Sequence, residues 1–256
     1  MLDVPVAPAF RLDRRRALVT GAGRGLGFAC AVALATAGAE VTLVARSVDE
    51  VEQAAAAIRA SGGSGSAAVL DVTELTRVAQ WMSGQAPFDI LVNNAGANRP
   101  GPFLETSIED YDFLFSLNVR APYFLAQAVA RRLVAERRPG SIINVSSQMG
   151  HVGAANRAVY CATKHAIEGM TKAMAAELGP HGVRVNTICP TFIDTPMTRP
   201  FFEDQAFRAA VLAKIKLGRL GRPEDVMGAV VFLASDASAL MTGSSLMLDG
   251  GWTSTS

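Results

Sequence analysis

The chain has 256 residues, and its 50% hydrophobic content is enough to bury a large core in one α/β domain or in two small ones. Its 24 Lys and Arg stand against 23 Asp and Glu, which leaves no basic field for nucleic acid and points to a small-molecule partner. Three cysteines without CxxC spacing argue against a disulfide framework or a zinc site. We expect no membrane association and a cytoplasmic location, because no signal peptide or long apolar run is present.

The first predicted unit is a strand, a glycine-rich turn and a helix. Residues 1–15 have the composition of an N-terminal arm, and the fold begins with the apolar run ALVT at 17–20. The turn GAGRGLG at 21–27 follows, and then an alanine-rich helix that stops at Gly38. Glycines allow the backbone to approach a pyrophosphate, whose charge is stabilised at the helix N-terminus, so the unit predicts a dinucleotide-binding loop.

Strands and helices then alternate along the rest of the chain. Further strands are predicted at 40–46, 66–70, 88–96, 141–147, 183–189 and 245–250. Helices are predicted at 47–62, 74–83, 108–118 and 121–138, then in a segment that carries Tyr160 and ends at Leu178, in a segment ending at Leu217, and at 223–234. This pattern predicts a single domain over 1–256, an α/β Rossmann fold with a doubly wound parallel sheet of about seven strands and helices on both faces.

Tyr160 and Lys164 are spaced to share one face of their helix. A phenol titrates near pH ~10, and an ammonium neighbour favours the phenolate, so the pair is a candidate proton donor and acceptor. Taken alone, the same spacing also fits a half-buried ring beside a solvated amine.

The chain resembles the short-chain dehydrogenase/reductase family from about Phe10 to Trp252. The resemblance is carried by TGAGRGLG at 20–27, Asp71 after the third strand, NNAG at 93–96, Asn118 in SLNVRAP, Ser147 in NVSSQMG, and YCATK at 160–164. The family implies an NAD(P)-dependent oxidoreductase that interconverts a secondary alcohol and a ketone.

The resemblance also implies roles for four catalytic residues. Tyr160 exchanges a proton with the substrate oxygen, Lys164 lowers the pKa of that phenol and holds the cofactor ribose, and Ser147 hydrogen-bonds the substrate oxygen. Asn118 positions a water that links Lys164 to solvent, although an asparagine there could simply cap its helix. Strand alternation places the neighbouring Ser146 on the opposite face, so Ser147 is preferred.

Cofactor choice is predicted from the end of the second strand. NAD-preferring enzymes usually place an acid there, whereas this strand ends at Arg46, and Arg24 in the glycine loop supplies a second cation. We therefore expect NADP(H) rather than NAD(H), unless the arginines are only solvated or stack on adenine. The full predicted cofactor set is Gly21, Arg24, Gly25, Leu26, Gly27, Arg46, Asp71, Val72, Asn93, Ala95, Gly96, Tyr160, Lys164, Pro190, Ile193 and Thr195.

One departure from the family pattern follows the sixth strand, where Thr191 replaces the usual glycine and reduces backbone freedom. The segment at about 190–218 resembles the family's substrate lid. Phe201 and Phe202 within it fit either lid contacts with substrate or ordinary packing.

The substrate is expected to be a small carbonyl or alcohol compound. The chain ends resemble bacterial gluconate 5-dehydrogenases and also 3-oxoacyl-acyl-carrier-protein reductases, so a sugar acid or polyol competes with a 3-oxoacyl thioester. The candidate substrate residues are Gln148, His151 and Asn156, in a polar loop that also holds Arg157. No metal site is expected, because no His, Asp and Glu cluster has ligand spacing.

Three broader expectations complete the prediction from sequence. A non-catalytic NADP-binding regulatory protein is the alternative of another class, although all four catalytic positions are filled. An extended epimerase or dehydratase would need a larger C-terminal domain than this chain provides. The resemblance implies a homo-oligomer, with a tetramer favoured, built through the long helices and the last strand.

Overall fold

A computed structural model describes residues 3–4 and 6–254, and these form one seven-stranded parallel sheet in the order β3-β2-β1-β4-β5-β6-β7. The predicted fold class is therefore confirmed. The single-domain prediction over 1–256 and the predicted arm at 1–15 include residues 1, 2 and 5, and the domain also includes 255 and 256; these five lie outside the described residues. The strands are β1 (Arg16–Thr20), β2 (Glu40–Ala45), β3 (Ser64–Val69), β4 (Ile90–Asn93), β5 (Gly140–Val145), β6 (Val183–Pro190) and β7 (Ser245–Leu248).

Helices cover both faces of the sheet, so the central strands are apolar on both sides. The α-helices are α1 (Gly25–Thr36), α2 (Val48–Ala60), α3 (Leu75–Ser83), α4 (Ile108–Phe115), α5 (Ala121–Ala135), α6 (Ala158–Leu178), α7 (Gln205–Lys214) and α8 (Glu224–Ala234). Residues of α1, α2 and α8 pack in one core cluster, and residues of α3, α5 and α6 pack in the other.

The chain reverses its direction across the sheet between β1 and β4. Val19 of β1 pairs with Val92 of β4, although β2 and β3 intervene in the sequence. Ligands of open α/β sheets bind in the crevice at such a switch point, beyond the carboxyl ends of the strands. The glycine-rich turn after β1 and the NNAG segment that begins at the end of β4 lie at this edge.

The predicted helix boundary near Asn118 is wrong, because α4 and α5 are continuous through a π-helical segment, Ser116–Arg120. Such π turns are rare and are frequent at functional sites. Asn118 therefore lies inside a helical run and caps neither helix. The next helix ends at Ala135 rather than at 138, and Arg137 beyond it has a left-handed φ of 52°.

The predicted fifth strand is too long, since β5 ends at Val145. Ser147 instead begins a 3-10 turn, Gln148–Gly150, and its side chain accepts a hydrogen bond from the backbone N–H of Met149. Strand alternation therefore does not decide where Ser146 points.

The N-terminal arm also contributes to the core, which the sequence did not predict. Leu12 is fully buried, and its backbone N–H donates to the carbonyl oxygen of Ala37 at 2.8 Å. The flanking Arg11 and Asp13 are exposed and pair with each other. A single buried leucine between charged residues has no pattern that distinguishes it in the sequence.

The segment after β6, expected as a lid, contains a 3-10 turn at Arg199–Phe202 and α7. The ring of Phe192 packs edge-on against those of Phe202 and Phe207. Within the described residues, no helix is long and apolar enough to cross a membrane.

Candidate active site

The glycine loop leaves room for a diphosphate at the N-terminus of α1. Gly21 and Gly25 adopt left-handed φ values of 63° and 57°, which favour glycine. A Cβ at Gly27 would come within 2.2 Å of the carbonyl oxygen of Gly21, so only glycine fits there. These features suit a dinucleotide, because the backbone and the helix terminus can both approach its anionic pyrophosphate.

A cleft of about 620 Å³ runs from this loop to Tyr160. It brings together fifteen of the sixteen residues of the predicted cofactor set and three of the four predicted catalytic residues, because Asn93 and Asn118 do not line it. The predicted residues that line it are Gly21, Arg24, Gly25, Leu26, Gly27, Arg46, Asp71, Val72, Ala95, Gly96, Ser147, Tyr160, Lys164, Pro190, Ile193 and Thr195. Thr191, which replaces the family's usual glycine, also lines the cleft.

Asn93 does not line the cleft, and its predicted place is taken by the following residue. The Asn93 side chain is buried and donates from Nδ2 to Asn144 Oδ1 at 2.9 Å. The side chain of Asn94 instead donates from Nδ2 to the carbonyl oxygens of Thr20 and Gly21 at 2.9 and 3.1 Å. Asn94 therefore ties the glycine loop to the end of β4.

Lys164 is held in the floor of the cleft. Its ammonium is buried, donates to the carbonyl oxygen of Val145 at 2.8 Å, and lies 5.6 Å from the centre of the Tyr160 ring. Burial lowers the pKa of Lys164 to about 8, because a charged ammonium is poorly solvated there. The group is therefore poised to gain or lose a proton near neutral pH.

The pKa of Tyr160 differs from the sequence expectation. Burial raises the pKa of the phenol, and the hydroxyl of Ser147 and the charge of Arg157 act in the opposite direction. Lys164 is not among the groups that lower it. Desolvation of the phenolate therefore exceeds the combined influence of the Ser147 hydroxyl and the Arg157 charge.

Ser147 lies where the end of β5 meets the end of β6. Its Oγ is 3.5 Å from the carbonyl oxygen of Pro190, and it lowers the pKa of Tyr160 through a hydrogen bond. The neighbouring Ser146 also lines the cleft, but its Oγ is directed toward Gly150, where it would be 2.9 Å from a Cβ placed on that residue. The geometry thus gives Ser147, and not Ser146, contact with Tyr160.

Asn118 is buried below the cleft and joins the loop after β4 to α6. Its Oδ1 accepts from the backbone N–H of Ala97 at 2.9 Å, and its Nδ2 donates to the carbonyl oxygen of Ala97 at 2.9 Å. Nδ2 also lies 3.2 Å from Thr163 Oγ1, next to Lys164. The side chain thereby fixes the position of α6, which carries Tyr160 and Lys164, relative to the loop after β4.

Two arginines lie at the other end of the cleft, and each faces a carboxylate. Arg24 Nη1 lies 3.0 Å from Glu50 Oε1, and Arg46 Nη1 lies 3.9 Å from Asp71 Oδ2. Their side chains remain 67% and 71% exposed, so both pairs are solvated and weak. A phosphate dianion could compete with these carboxylates for the guanidinium groups.

The three predicted substrate residues do not line the cleft. Gln148 is 1% exposed, and its Oε1 has no hydrogen-bond partner among the described residues. Asn156 is exposed with a left-handed φ of 60°. His151 faces Glu168 and Cys189, in a cluster that sequence spacing did not reveal.

Other cleft residues were missed from the sequence. Glu50 lies within the helix predicted at 47–62, and the first turn of that helix, α2, lies at the carboxyl edge of β2 and brings the Glu50 side chain into the cleft. The N-cap of that helix, Ser47, was the available signal, because it places the helix start immediately after Arg46. Phe113, Leu117, Met197 and Thr198 also line the cleft.

Comparison with known proteins agrees with this geometry. A family model described as Enoyl-(Acyl carrier protein) reductase matches residues 21–253. The chain is 43% identical to L-xylulose reductase of Bos taurus over 96% of its length and 99% of that protein. It is 40% identical to gluconate 5-dehydrogenase of Gluconobacter oxydans, over 95% of this chain and 96% of that one.

A solved structure shares the fold closely. The gluconate 5-dehydrogenase from Burkholderia cenocepacia, crystallised in complex with NADP and tartrate, superposes with a TM-score of 0.92 at 36% identity. The alignment covers 96% of this chain and 98% of that chain.

Proposed function

This chain belongs to the short-chain dehydrogenase/reductase family, and from that premise we propose that it interconverts a secondary alcohol and a ketone on a sugar acid or polyol, with NADP(H) as its preferred cofactor. The observation that carries the proposal is the convergence of Ser147, Tyr160 and Lys164 on the same cleft as the glycine loop. A binding protein would need the loop but not this group of proton-exchanging side chains.

The side chains divide the chemistry between them. The bound nicotinamide would supply or accept the hydride at the substrate carbon. Tyr160 gives a proton to the substrate oxygen during reduction and takes it back during oxidation. Ser147 directs its hydroxyl at the same oxygen, and Lys164 provides positive charge beside the phenol. Asn118 holds the segment that carries Lys164.

NADP(H) preference is supported by Arg24 and Arg46 on the cleft rim. Their exposed, solvated ion pairs leave both guanidinium groups available to a 2′-phosphate. The Burkholderia relative was crystallised with NADP, which is consistent with the same preference here. Glu50 and Asp71 oppose it by competing for the same cations.

Arg157 favours an acidic substrate over an uncharged one. Arg157 as a whole residue is 8% exposed and lies beside the cleft rather than among its lining residues, with its guanidinium over the rings of Phe192 and Phe201, at 5.7 and 5.3 Å from their centres. Within residues 3–4 and 6–254, no carboxylate pairs with it. A buried cation without a counter-ion is costly, so a substrate carboxylate near Tyr160 would compensate it.

A substrate screen tests the proposal. Purified protein is assayed with NADP+ and NAD+ against polyols, sugar acids and secondary alcohols, and with NADPH against ketoses, keto acids and 3-oxoacyl thioesters. We expect turnover on a sugar acid or polyol pair, and loss of turnover with retained NADPH binding in Tyr160→Phe. Turnover confined to 3-oxoacyl thioesters would support the ketoreductase alternative, and retained turnover in Tyr160→Phe would refute the mechanism.

Two finer expectations remain proposals. Self-association is supported by the exposed aromatic pair Tyr123 and Phe124 on α5, at 42% and 41% exposure, which a subunit contact would cover. The number of four subunits is the expectation from the family resemblance. Light scattering coupled to gel filtration measures the assembly. The cytoplasmic location rests on the sequence alone.

A further inference from the structure

Three potential metal ligands meet outside the substrate cleft, although they are far apart in the sequence. His151 follows the 3-10 turn after Ser147, Glu168 lies one helical turn beyond Lys164 on α6, and Cys189 precedes Pro190 on β6. Their donor atoms all lie within 4.8 Å of one another. The cluster therefore connects the three elements that position the catalytic residues.

The separations fit those of ligands around one small cation. His151 Nε2 is 3.5 Å from Cys189 Sγ and 3.6 Å from Glu168 Oε1, and Cys189 Sγ is 3.3 Å from Glu168 Oε1. Tetrahedral zinc with bonds of about 2.0–2.3 Å separates neighbouring donors by roughly 3.3–3.5 Å. A zinc ion could therefore be placed between these atoms with only small movements of the side chains.

Neighbouring hydroxyl groups fix the orientation of the Glu168 carboxylate through hydrogen bonds. Its Oε2 accepts from Ser245 Oγ at 2.5 Å and from Thr187 Oγ1 at 3.1 Å. These bonds fix the carboxylate and leave Oε1 turned toward His151 and Cys189. Hydrogen bonds of this kind orient the ligands in known metal sites.

A separate observation points to an additional ligand at this position. Ser146 is 3% exposed, and its Oγ meets no acceptor or donor with hydrogen-bond geometry among the described residues. Yet the hydroxyl lies close enough to Glu168 and Cys189 to lower the pKa of each. Buried hydroxyl groups normally have a hydrogen-bond partner. The Ser146 hydroxyl lacks one with good geometry and lies beside the three ligand atoms, so it could be the fourth polar group around a bound ion.

We propose that His151, Glu168 and Cys189 bind one divalent transition-metal ion, with zinc as the best fit to a thiolate, imidazole and carboxylate set. Hard cations such as Mg²⁺ disfavour sulfur, which excludes them here. On binding, the Cys189 sulfur forms its bond to the metal and its thiol proton leaves to solvent. The His151 side chain is 32% exposed, which gives the ion a route from solvent, while Glu168 and Cys189 are buried.

The proposed ion has a positioning role rather than a catalytic one. Its ligands lie on the loop after Ser147, on α6 and on β6, so binding would hold these elements together. The site does not depend on the proposed oxidoreductase function, and its failure would leave that function intact. If no ion binds, the same atoms form a hydrogen-bond network in which the Cys189 thiol donates to Glu168.

Cobalt(II) is the probe that tests the proposal directly. Full-length protein is stripped with EDTA, dialysed and titrated with Co²⁺, and the absorption spectrum is followed. We expect strong visible bands of tetrahedral Co²⁺ and a near-ultraviolet sulfur-to-cobalt charge-transfer band, saturating at one ion per chain. Added Zn²⁺ should abolish both bands, because zinc binds such sites more tightly than cobalt.

Matched variants separate the site from adventitious binding. Cys189→Ser should lose the charge-transfer band, and His151→Gln should weaken Co²⁺ binding by about tenfold or more. His181→Gln, which changes an exposed histidine outside the cluster, should bind as the unaltered protein does. Absence of the bands in the unaltered protein, or their survival in His151→Gln at full affinity, would overturn the proposal. Because His151 is on the surface, that variant remains informative even if Cys189→Ser fails to fold.

Discussion

The ammonium of Lys164 donates a 2.8 Å hydrogen bond to the carbonyl oxygen of Val145, the last residue of β5. This bond ties α6 to the strand that leads into Ser147, so the segments that carry Ser147 and Lys164 are joined by one hydrogen bond. The position is expensive for a charge: burial lowers the pKa of Lys164 to about 8, while Cys189 and Glu168 act to raise it. Burial of this ammonium therefore makes folding stability depend on pH.

Replacing Lys164 by Met should change that pH dependence. Because the pKa of Lys164 is lower in the folded protein than its ordinary 10.5, the unfolded chain binds more protons between about pH 8 and 10.5, and stability rises with pH across that window. From about pH 7 to 9.5, the unaltered protein should gain roughly 2 kcal/mol relative to Lys164→Met.

Urea unfolding of the unaltered protein and of Lys164→Met, at the same protein concentration, in the presence of EDTA and across this pH range, measures the difference in the free energy of unfolding. Tyr160, Glu168 and Cys189 are present in both proteins, so the comparison removes the part of their titration that does not depend on Lys164. Parallel pH dependence in the two proteins would contradict the lowered pKa.

Much of the fold and of the cofactor cleft could be predicted because the signals are local. The glycine loop, Arg46, Asp71 and the Tyr160–Lys164 spacing each occupy a short stretch whose geometry follows from one strand end or one helix face. Parallel strands then place those stretches at one edge of the sheet, where the structure has them.

The errors arose where tertiary contacts decide the outcome. Asn93 and Asn94 are adjacent in the sequence. The Asn93 side chain is held by its hydrogen bond to Asn144 on the neighbouring strand, so the side chain of Asn94 is the one that reaches the glycine loop. Likewise, His151, Glu168 and Cys189 meet only after a loop, a helix and a strand have packed. No spacing rule within a single segment could bring them together.

Asn118 should contribute to both stability and activity. Replacing it by Ala removes its bonds to Ala97 and Thr163 and leaves the part-buried backbone groups of Ala97 without these partners, a loss of about 1–3 kcal/mol. Turnover should also fall, because the segment carrying Lys164 loses its link to the loop after β4. Gln53→Ala, at an exposed amide on α2, is the matched control and should change neither quantity. Urea unfolding measures the stability of each variant, and steady-state kinetics measures its turnover. Stability of Asn118→Ala equal to that of the control would contradict the proposed positioning role of Asn118.

Arg46 and Glu50 should have opposite effects on cofactor choice. Arg46→Ala should weaken NADPH binding by about tenfold, the scale of one charge-assisted hydrogen bond, and leave NADH binding nearly unchanged. Glu50→Gln should strengthen NADPH binding, since it removes the carboxylate that pairs with Arg24.

Fluorescence titration of each variant with NADPH and with NADH gives the dissociation constants. Arg77→Ala, outside the cleft, serves as the control. Equal losses of NADH and NADPH affinity in Arg46→Ala would show that the arginine does not recognise the 2′-phosphate.

Arg157 should separate acidic substrates from uncharged ones. Replacing it by Gln removes a buried positive charge that pairs with no acid within the part of the chain that the structure describes. For a sugar acid, kcat/KM should fall by about 10- to 100-fold, equivalent to about 1.5–3 kcal/mol, because the substrate carboxylate loses its ionic hydrogen bond.

For a polyol or ketose of the same length, kcat/KM in Arg157→Gln should stay constant or rise. An uncharged substrate leaves the positive charge of Arg157 without a counter-ion, and the variant removes that charge. Arg208→Gln, at an exposed position on α7, controls for the general loss of positive charge near the segment after β6. Measuring both substrates with the same enzyme preparations, at saturating NADP+ for the alcohols or saturating NADPH for the keto forms, gives the ratio directly. A ratio that Arg157→Gln leaves unchanged would remove the argument for an acidic substrate and favour the uncharged sugars.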